Sequence, residues 1–343
     1  MSENETTGIY QFMHERFVVL GSNSFSGSHF TEYLLKRGHH VLGVSRSTEP
    51  HAVFLPYQNV ENYLQLFDFL KGDLNSDHLE IVRRIQDFAP DYVVNFAAQG
   101  MVAQSWQKPE DWYQTNVVGQ VRLHDAIRTL ASLKKYVHVT TPEVYGSTDG
   151  WVKESNQFSP TTPYAVSRAS CDLHLRSFYG AYEFPVVFTR AANVYGPGQQ
   201  LYRIIPRALF CARTGDKVSL HGGGTSVRCF IHVRDVADAT YQIAFHGKPG
   251  DSFHISTRDQ ISIRALVERI SMITGIQFDD LVEMSEDRLG KDQAYLLDSS
   301  KLRNDLGWCD TVSLEAGLQE TLSWVDNNLE ILREQPQTYI HKT

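Results

Sequence analysis

The chain has 343 residues, of which 42% are hydrophobic and 21% charged, a balance that suits a globular protein with a large buried core. A formal net charge of -8 and a pI near 5.9 argue against a nucleic-acid-binding body, which would carry a basic field, but leave room for a local anion site. Four scattered cysteines (Cys171, Cys211, Cys229 and Cys309) form no C-x-x-C pair, which argues against a zinc or other metal site and suits a reducing, cytoplasmic location.

Residues 1–15 are polar and acidic, without the basic and apolar regions of a signal peptide, and read as a loose arm. No apolar run has the length of a membrane span, so no membrane partner is expected. Phe17 to Leu20 reads as a short buried strand running into Gly21-Ser22-Asn23-Ser24-Phe25-Ser26-Gly27 and then a helix that ends at Gly38. Glycines in that position allow a tight turn and close approach of the backbone to a pyrophosphate at the helix N-terminus, although Ser24 stands where a middle glycine is usual.

His40 to Val44 is the second strand. It ends in Ser45-Arg46-Ser47, with no Asp or Glu to meet ribose hydroxyls. A cation flanked by hydroxyls suits a 2′-phosphate, which points to NADP with NAD as the alternative; a solvated loop arginine is the bland reading. Leu64 to Leu70 reads as a third strand. Asp73 and Leu74 beyond it are placed to meet an adenine, or Asp73 to cap the next turn. A helix over 79–88 follows, then a strand over Tyr92 to Phe96, a helix over Val117 to Leu130 and a strand over Lys135 to Val139.

That fifth strand runs into Thr140, Thr141 and Glu143. Pro163 then opens a helix over 163–182, on which Tyr164 and Arg168 share a face. A carboxylate, a hydroxyl and a phenol whose pKa a nearby cation would lower thus meet over one pocket; the plainer alternative is a capped strand and a surface Tyr–Arg pair. Val186 to Phe188 continues the alternation, which predicts a doubly wound parallel sheet with its site at the strand C-termini. After Tyr195 the pattern changes to glycine-punctuated helices near 202–213, 233–245, 262–273 and 313–330, with short strands such as Phe253 to Ile255. This reads as a smaller lobe with some segments returning to the sheet. Residues from 335 onward read as a tail.

Taken together, several segments resemble the extended short-chain dehydrogenase/reductases, and within them the nucleotide-sugar 4,6-dehydratases, from about Arg16 to Leu332. They are Gly21–Gly27, Asn95-Phe96-Ala97-Ala98-Gln99, Thr115-Asn116-Val117, Thr141–Gly146, Tyr164–Arg168, Asn193–Pro197, Val227–Val236 and Asp287–Asp292. The Ser45-Arg46-Ser47 segment is closest to the GDP-mannose branch, and the region around Asp292 and Tyr295 to Asp298 to the dTDP-glucose branch.

The resemblance implies a Rossmann-type α/β fold: an NADP-binding domain over 16–194 and a smaller α/β lobe binding a sugar nucleotide over 195–332, with tails at 1–15 and 335–343. It further implies a homodimer. Tyr164 would be base for the sugar C4 hydroxyl, Thr141 its relay, Glu143 the base at C5 and Arg168 a ribose contact. Gly21, Ser24, Phe25, Ser26, Gly27, Ser45, Arg46, Ser47, Asp73, Leu74, Ala97, Ala98, Tyr164 and Arg168 would hold the cofactor. Asn193, Arg228 and Arg288 would hold the sugar nucleotide, unless the arginines are surface ion pairs; Gln99, Ser105 and Asn116 would line the sugar pocket, or Gln99 and Asn116 serve as buried structural amides.

The implied product is a 4-keto-6-deoxy sugar. A 5,6-dehydratase, an epimerase, a 4-ketoreductase and a non-catalytic NADP or sugar-nucleotide binder are the alternatives. Two positions depart from the family pattern. Pro142 stands where the dTDP-glucose branch has an aspartate acid, and Arg168 stands where lysine is normal.

Overall fold

A computed structural model of the chain describes residues 14–148, 150–285 and 296–342. Seven strands form one sheet. In chain order the first five are β1 (Arg16–Leu20), β2 (His40–Ser45), β3 (Phe67–Lys71), β4 (Tyr92–Asn95) and β5 (Lys135–Val139), followed by Val186–Ala191 and Ser252–Ile255. Every pairing in this sheet is parallel. Across the sheet the order runs Ser252–Ile255, Val186–Ala191, β5, β4, β1, β2, β3, so the winding reverses between β1 and β4.

The strands read as near-continuous apolar runs because both faces are covered. Val18, Leu20, Leu42, Val44, Val93 and Tyr136 pack into one core, and Phe17, Val19, Val41, Val94 and Val137 into another on the opposite face, following the two-residue period of the pleat. A third core lies in the smaller lobe, among the helices Ile204–Thr214, Ile263–Thr274 and Leu314–Asn327. The expected return to the sheet is made by Ser252–Ile255, which pairs with Val186–Ala191. No described helix is long and apolar enough to cross a membrane.

Two expected elements are corrected. The third strand begins at Phe67, not Leu64: Asn62 takes a left-handed conformation (φ 58), Tyr63–Leu66 form a helical turn, and Leu64 is 76% exposed. The helix expected from Val117 begins earlier, as a wide π turn over Gln114–Gly119, and becomes α-helical over Gln120–Ile127. π turns recur at functional sites because the wider turn re-aims a side chain. Here Asn116 lies within it, bonded to Gln99.

The interior also holds a charged group beneath the sheet's working edge. Arg190, fully buried, donates to Asp172 at 2.5 Å, and Asp172 lies 3.3 Å from His138. Burial alone would raise the Asp172 carboxyl; Arg190 and then His138 hold it below the usual value. Burial pushes His138 down to about 4, against the pull of Asp172, and pushes His39 to about 4 and His232 and His254 to about 3.

These histidines stay neutral in the folded chain while the unfolded chain protonates them near pH ~6.5. The unfolded state therefore binds more protons below that pH, and stability present above it is lost as the pH falls toward the folded values. Thermal melts between about pH 7 and about pH 5 should show a steadily falling melting temperature, and His138→Gln should flatten part of the slope. Melts independent of pH across that range would contradict the assignment.

Candidate active site

The edge formed by the strand C-termini is built around the turn after β1. Gly21 has φ +80, and a Cβ there would meet Ala97 N at 2.9 Å and the Phe96 carbonyl carbon at 3.0 Å, so only glycine lets the β1 and β4 turns lie against each other. Helix α1 (Phe25–Leu35) begins directly after this turn. Ser24 is its N-cap, accepting from Gly27 N at 3.1 Å, and the Ser28 amide bonds to Ser24 O. Serine at the usual middle-glycine position is thus explained by capping. Phe25 and Ser26 are the first-turn amides that neither bond uses, a helix start of the kind that can receive an anion, although neither they nor Gly27 line the cavity beyond the turn. Gly27 is held by contact, since a Cβ there would lie 2.2 Å from Gly21 O.

The β4 turn is fixed by buried amides. Asn95 donates to Gln120 Oε1 at 2.7 Å and to the Tyr136 hydroxyl at 2.6 Å, and accepts from Ala97 N at 2.9 Å. Gln120 donates to Ala97 O at 2.9 Å. Asn116 accepts from Gln99 N (2.7 Å) and donates to Gln99 O and to the Ser167 hydroxyl (both 3.0 Å). Asn116 is therefore a satisfied structural amide that ties the β4 turn to the helix Pro163–Tyr182.

Between these walls lies a cavity of about 550 Å³. Gly21, Ser24, Ser45, Arg46, Ser47, Asp73, Leu74, Ala97, Ala98 and Gln99 all line it. Ser45 accepts from Asn23 N at 3.0 Å and so braces the phosphate loop against β2. Asp73 accepts from Asn75 N at 2.8 Å, the capping alternative of the sequence reading, while still lining the cavity. Arg46 reaches across the groove and donates to Gln99 Oε1 at 3.0 Å. The size, the glycine turn, the capped helix start and the position at the winding reversal fit a nicotinamide dinucleotide.

The second part of the site lies past β5. Thr141 caps a short 3₁₀ turn, Pro142–Tyr145, its hydroxyl accepting from Glu143 N at 3.3 Å. Thr141 and Pro142 are buried and Glu143 is half-buried. The helix Pro163–Tyr182 starts with proline at its first turn and with Thr162 as cap, accepting from Ala165 N at 3.1 Å. That start sets Tyr164 beside Thr141, whose hydrogen bond favours the phenolate.

The expected lowering of the Tyr164 pKa is corrected. Burial and then the Glu143 charge raise it, outweighing Arg168, the Thr141 hydrogen bond and Arg203. Arg168 is 2% exposed and donates to the Val139 carbonyl at the end of β5, leaving Nε and Nη1 without hydrogen-bond partners among the described residues. It does not line the cavity; Tyr164 also lies outside its wall. Near it, His124, His138 and Cys171 bring ligand-type atoms within 4.8 Å of one another, but the Arg168 charge, which also depresses both histidines, opposes a cation there.

Among the remaining sequence candidates, Ser105 is fully buried and donates to Val102 O at 2.6 Å. Asn193 lies opposite Phe230 in a short parallel pair, and Arg228 in the strand Val227–Arg228 donates to Val227 O at 2.8 Å. Arg288 lies outside the described residues. Sequence reasoning missed three groups: Arg203, whose charge acts on Tyr164; Tyr202, which lines the cavity; and residues 335–342, which run along it. No local pattern marks them, because each reaches the site only through the smaller lobe or the end of the fold.

A family model described as GDP-mannose 4,6 dehydratase matches residues 18–321. A probable dTDP-glucose 4,6-dehydratase from Sinorhizobium fredii is 30% identical over 331 residues, covering 91% of this chain and 93% of that protein. A trifunctional UDP-glucose 4,6-dehydratase/UDP-4-keto-6-deoxy-D-glucose 3,5-epimerase/UDP-4-keto-L-rhamnose-reductase from Arabidopsis thaliana is also 30% identical, over 92% of this chain; the chain spans 48% of its length. The solved structure of a dTDP-glucose 4,6-dehydratase from Streptomyces venezuelae, with NAD and TYD bound, superposes with a TM-score of 0.84 at 30% identity, covering 92% of this chain and 98% of that one.

Gly21→Ala should separate the two turns and strain a left-handed position, at a cost of roughly 1–3 kcal/mol. The expected outcome is a lower melting temperature and at least about tenfold weaker dinucleotide binding by titration calorimetry, since each ~1.4 kcal/mol is tenfold in affinity. Wild-type affinity in this variant would refute the contact's role.

Proposed function

The chain belongs to the GDP-mannose 4,6-dehydratase family, and from that premise we propose that it removes water from a nucleotide-linked hexose to form the 4-keto-6-deoxy sugar. The observation that carries this reading is Glu143. It stands two residues past Thr141 at the end of β5, close enough for its charge to act on the Tyr164 phenol. A simple exchange of hydride at C4 needs Tyr164 and Thr141 only. A carboxylate beside them supplies the base that removal of the C5 proton requires.

A nicotinamide dinucleotide bound in the cavity supplies hydride transfer from C4 and its return to C6. Tyr164 accepts the C4 hydroxyl proton, passed through Thr141. The carbonyl formed at C4 acidifies C5–H, and Glu143 takes that proton. Pro142 has no proton to give, so we assign protonation of the departing C6 hydroxyl to Glu143 as well, with the proton it has just received; Glu143 then takes a proton from solvent and returns it to C5 as hydride reaches C6, and Tyr164 releases its proton to solvent. Arg168 acts on this site by holding the Val139 carbonyl and by its pull on the Tyr164 phenol. Asn193, Arg228 and Arg288 remain the proposed holders of the nucleotide diphosphate, by charge-assisted bonds from the two arginines.

For the cofactor we propose NADP over NAD, supported by Arg46 between two serines and the lack of an acid at the end of β2. A homodimer is supported by exposed Leu173 on the catalytic helix and by exposed Tyr113 and Val118 on the helical segments packed against it.

A panel of GDP-, UDP-, CDP- and dTDP-hexoses, followed by mass detection, should reveal water loss without added reductant for at least one donor. In heavy water the product should carry deuterium at C5. Glu143→Gln should abolish water loss, and Tyr164→Phe should slow it by about 10²-fold or more. Retention of full dehydration in Glu143→Gln would refute the assignment, and inversion at C4 without water loss would favour an epimerase. Arg46→Ala should weaken NADP binding by about tenfold or more and leave NAD nearly unchanged; an unaltered NADP preference removes the role given to Arg46.

A further inference from the structure

Residues 335–342 lack regular secondary structure, yet they are anchored along their length to both sides of the groove. Gln337 accepts from Arg207 at 2.5 Å, and Tyr339 packs edge-on to Tyr202 with ring centroids 5.6 Å apart. His341 stacks on the buried Trp112 at 5.0 Å with the rings 1° from parallel. One His341 nitrogen lies 2.7 Å from the Asp111 carboxylate and the other 3.2 Å from the Gln99 amide. The Lys342 carbonyl accepts from Gln99 at 2.8 Å and from Arg46 at 3.0 Å, while its ammonium donates to the Ser47 hydroxyl at 2.9 Å. Pro336, Thr338, Tyr339, Ile340 and Lys342 line the same cavity as the phosphate loop.

The segment thus bridges the end of β2 (Arg46, Ser47), the end of β4 (Gln99) and the helix Pro109–Tyr113 (Asp111, Trp112). These are opposite sides of the groove, and Arg46 with Gln99 completes the span beneath. A strap so attached lines the cavity and leaves room for a ligand beside it. It also sets a second cation, Lys342, on Ser47 and next to Arg46, the residues that would hold a 2′-phosphate in the NADP reading.

We propose that residues 335–342 form the outer wall of the dinucleotide site and retain the cofactor from one turnover to the next. This rests on the cavity being the dinucleotide site. It agrees with the proposed chemistry, in which the hydride taken from C4 is returned to C6, so the cofactor ends each cycle in its starting state and has no need to leave. Release requires the His341–Trp112 stack and the bonds of Lys342 to part first, so the strap should act mainly on dissociation.

The test loads the full chain with reduced dinucleotide and follows its fluorescence during a chase with excess oxidised dinucleotide. The full chain is compared with a variant lacking residues 335–343 and with His341→Ala, each shown to be folded by its thermal melt. Release should accelerate about tenfold or more in the shortened chain and by a smaller factor in His341→Ala. His341→Ala, which keeps the whole chain, decides the outcome if the shortened form does not fold. Release rates within about twofold of the full chain in the folded variants would overturn the strap while leaving the cofactor site standing. Faster uptake with unchanged release would make the segment a plug and overturn it equally. A full chain that takes up neither NAD nor NADP would overturn the cofactor reading and the strap together.

Discussion

The contact on which the site depends is between two backbones. Gly21, at the end of β1, lies against Phe96 and Ala97, at the end of β4, with no space for a side chain between them. This is where the winding of the sheet reverses, so the two crossovers leave in opposite directions and a groove opens beyond the strand ends. The contact lasts only if the β4 turn is rigid, and Asn95 and Gln120 make it so by bonding both the amide and the carbonyl of Ala97 in the interior. Buried amides used this way are costly when only partly satisfied, and here both Asn95 side-chain donors and a Gln120 donor meet oxygens. The phosphate loop on one side and Gln99 on the other then face each other at a set distance.

The catalytic edge follows the same arrangement. The π turn that carries Asn116 links the β4 turn to Ser167, on the helix that also presents Tyr164. Position and protonation are thereby connected. Tyr164 sits among Glu143, Thr141, Arg168 and Arg203, and the balance of burial and these charges leaves its phenol above the ordinary value. Arginine in place of lysine belongs to this balance. Its guanidinium is held by the Val139 carbonyl, so it contributes through charge and by bracing the strand end, in a geometry that a lysine point charge would not reproduce.

Much of this was legible in the residues themselves. The apolar runs Phe17–Leu20 and Lys135–Val139, the glycine turn before α1, and the spacing of Thr141, Glu143, Tyr164 and Arg168 depend on local geometry and a short period, which one segment carries by itself. The errors were also local. Leu64 looked like the start of a strand because its apolar character is indistinguishable from that of a buried residue until the left-handed Asn62 is seen. The sequence points to a lowered Tyr164 phenol because a cation at i+4 is visible along the chain, whereas the burial and the Glu143 charge that raise it are not.

The sequence by itself determined the alternation of strands and helices, the glycine turn before α1 and which side chains follow β5 and open the helix Pro163–Tyr182, since each is a property of neighbouring residues. Only the tertiary structure decided what those groups touch. Arg46 meets Gln99 and Lys342, which lie 53 and 296 residues away along the chain, and His341 meets Trp112. Such pairings come from packing two lobes and a trailing segment onto one sheet edge, and no periodicity in the chain encodes them.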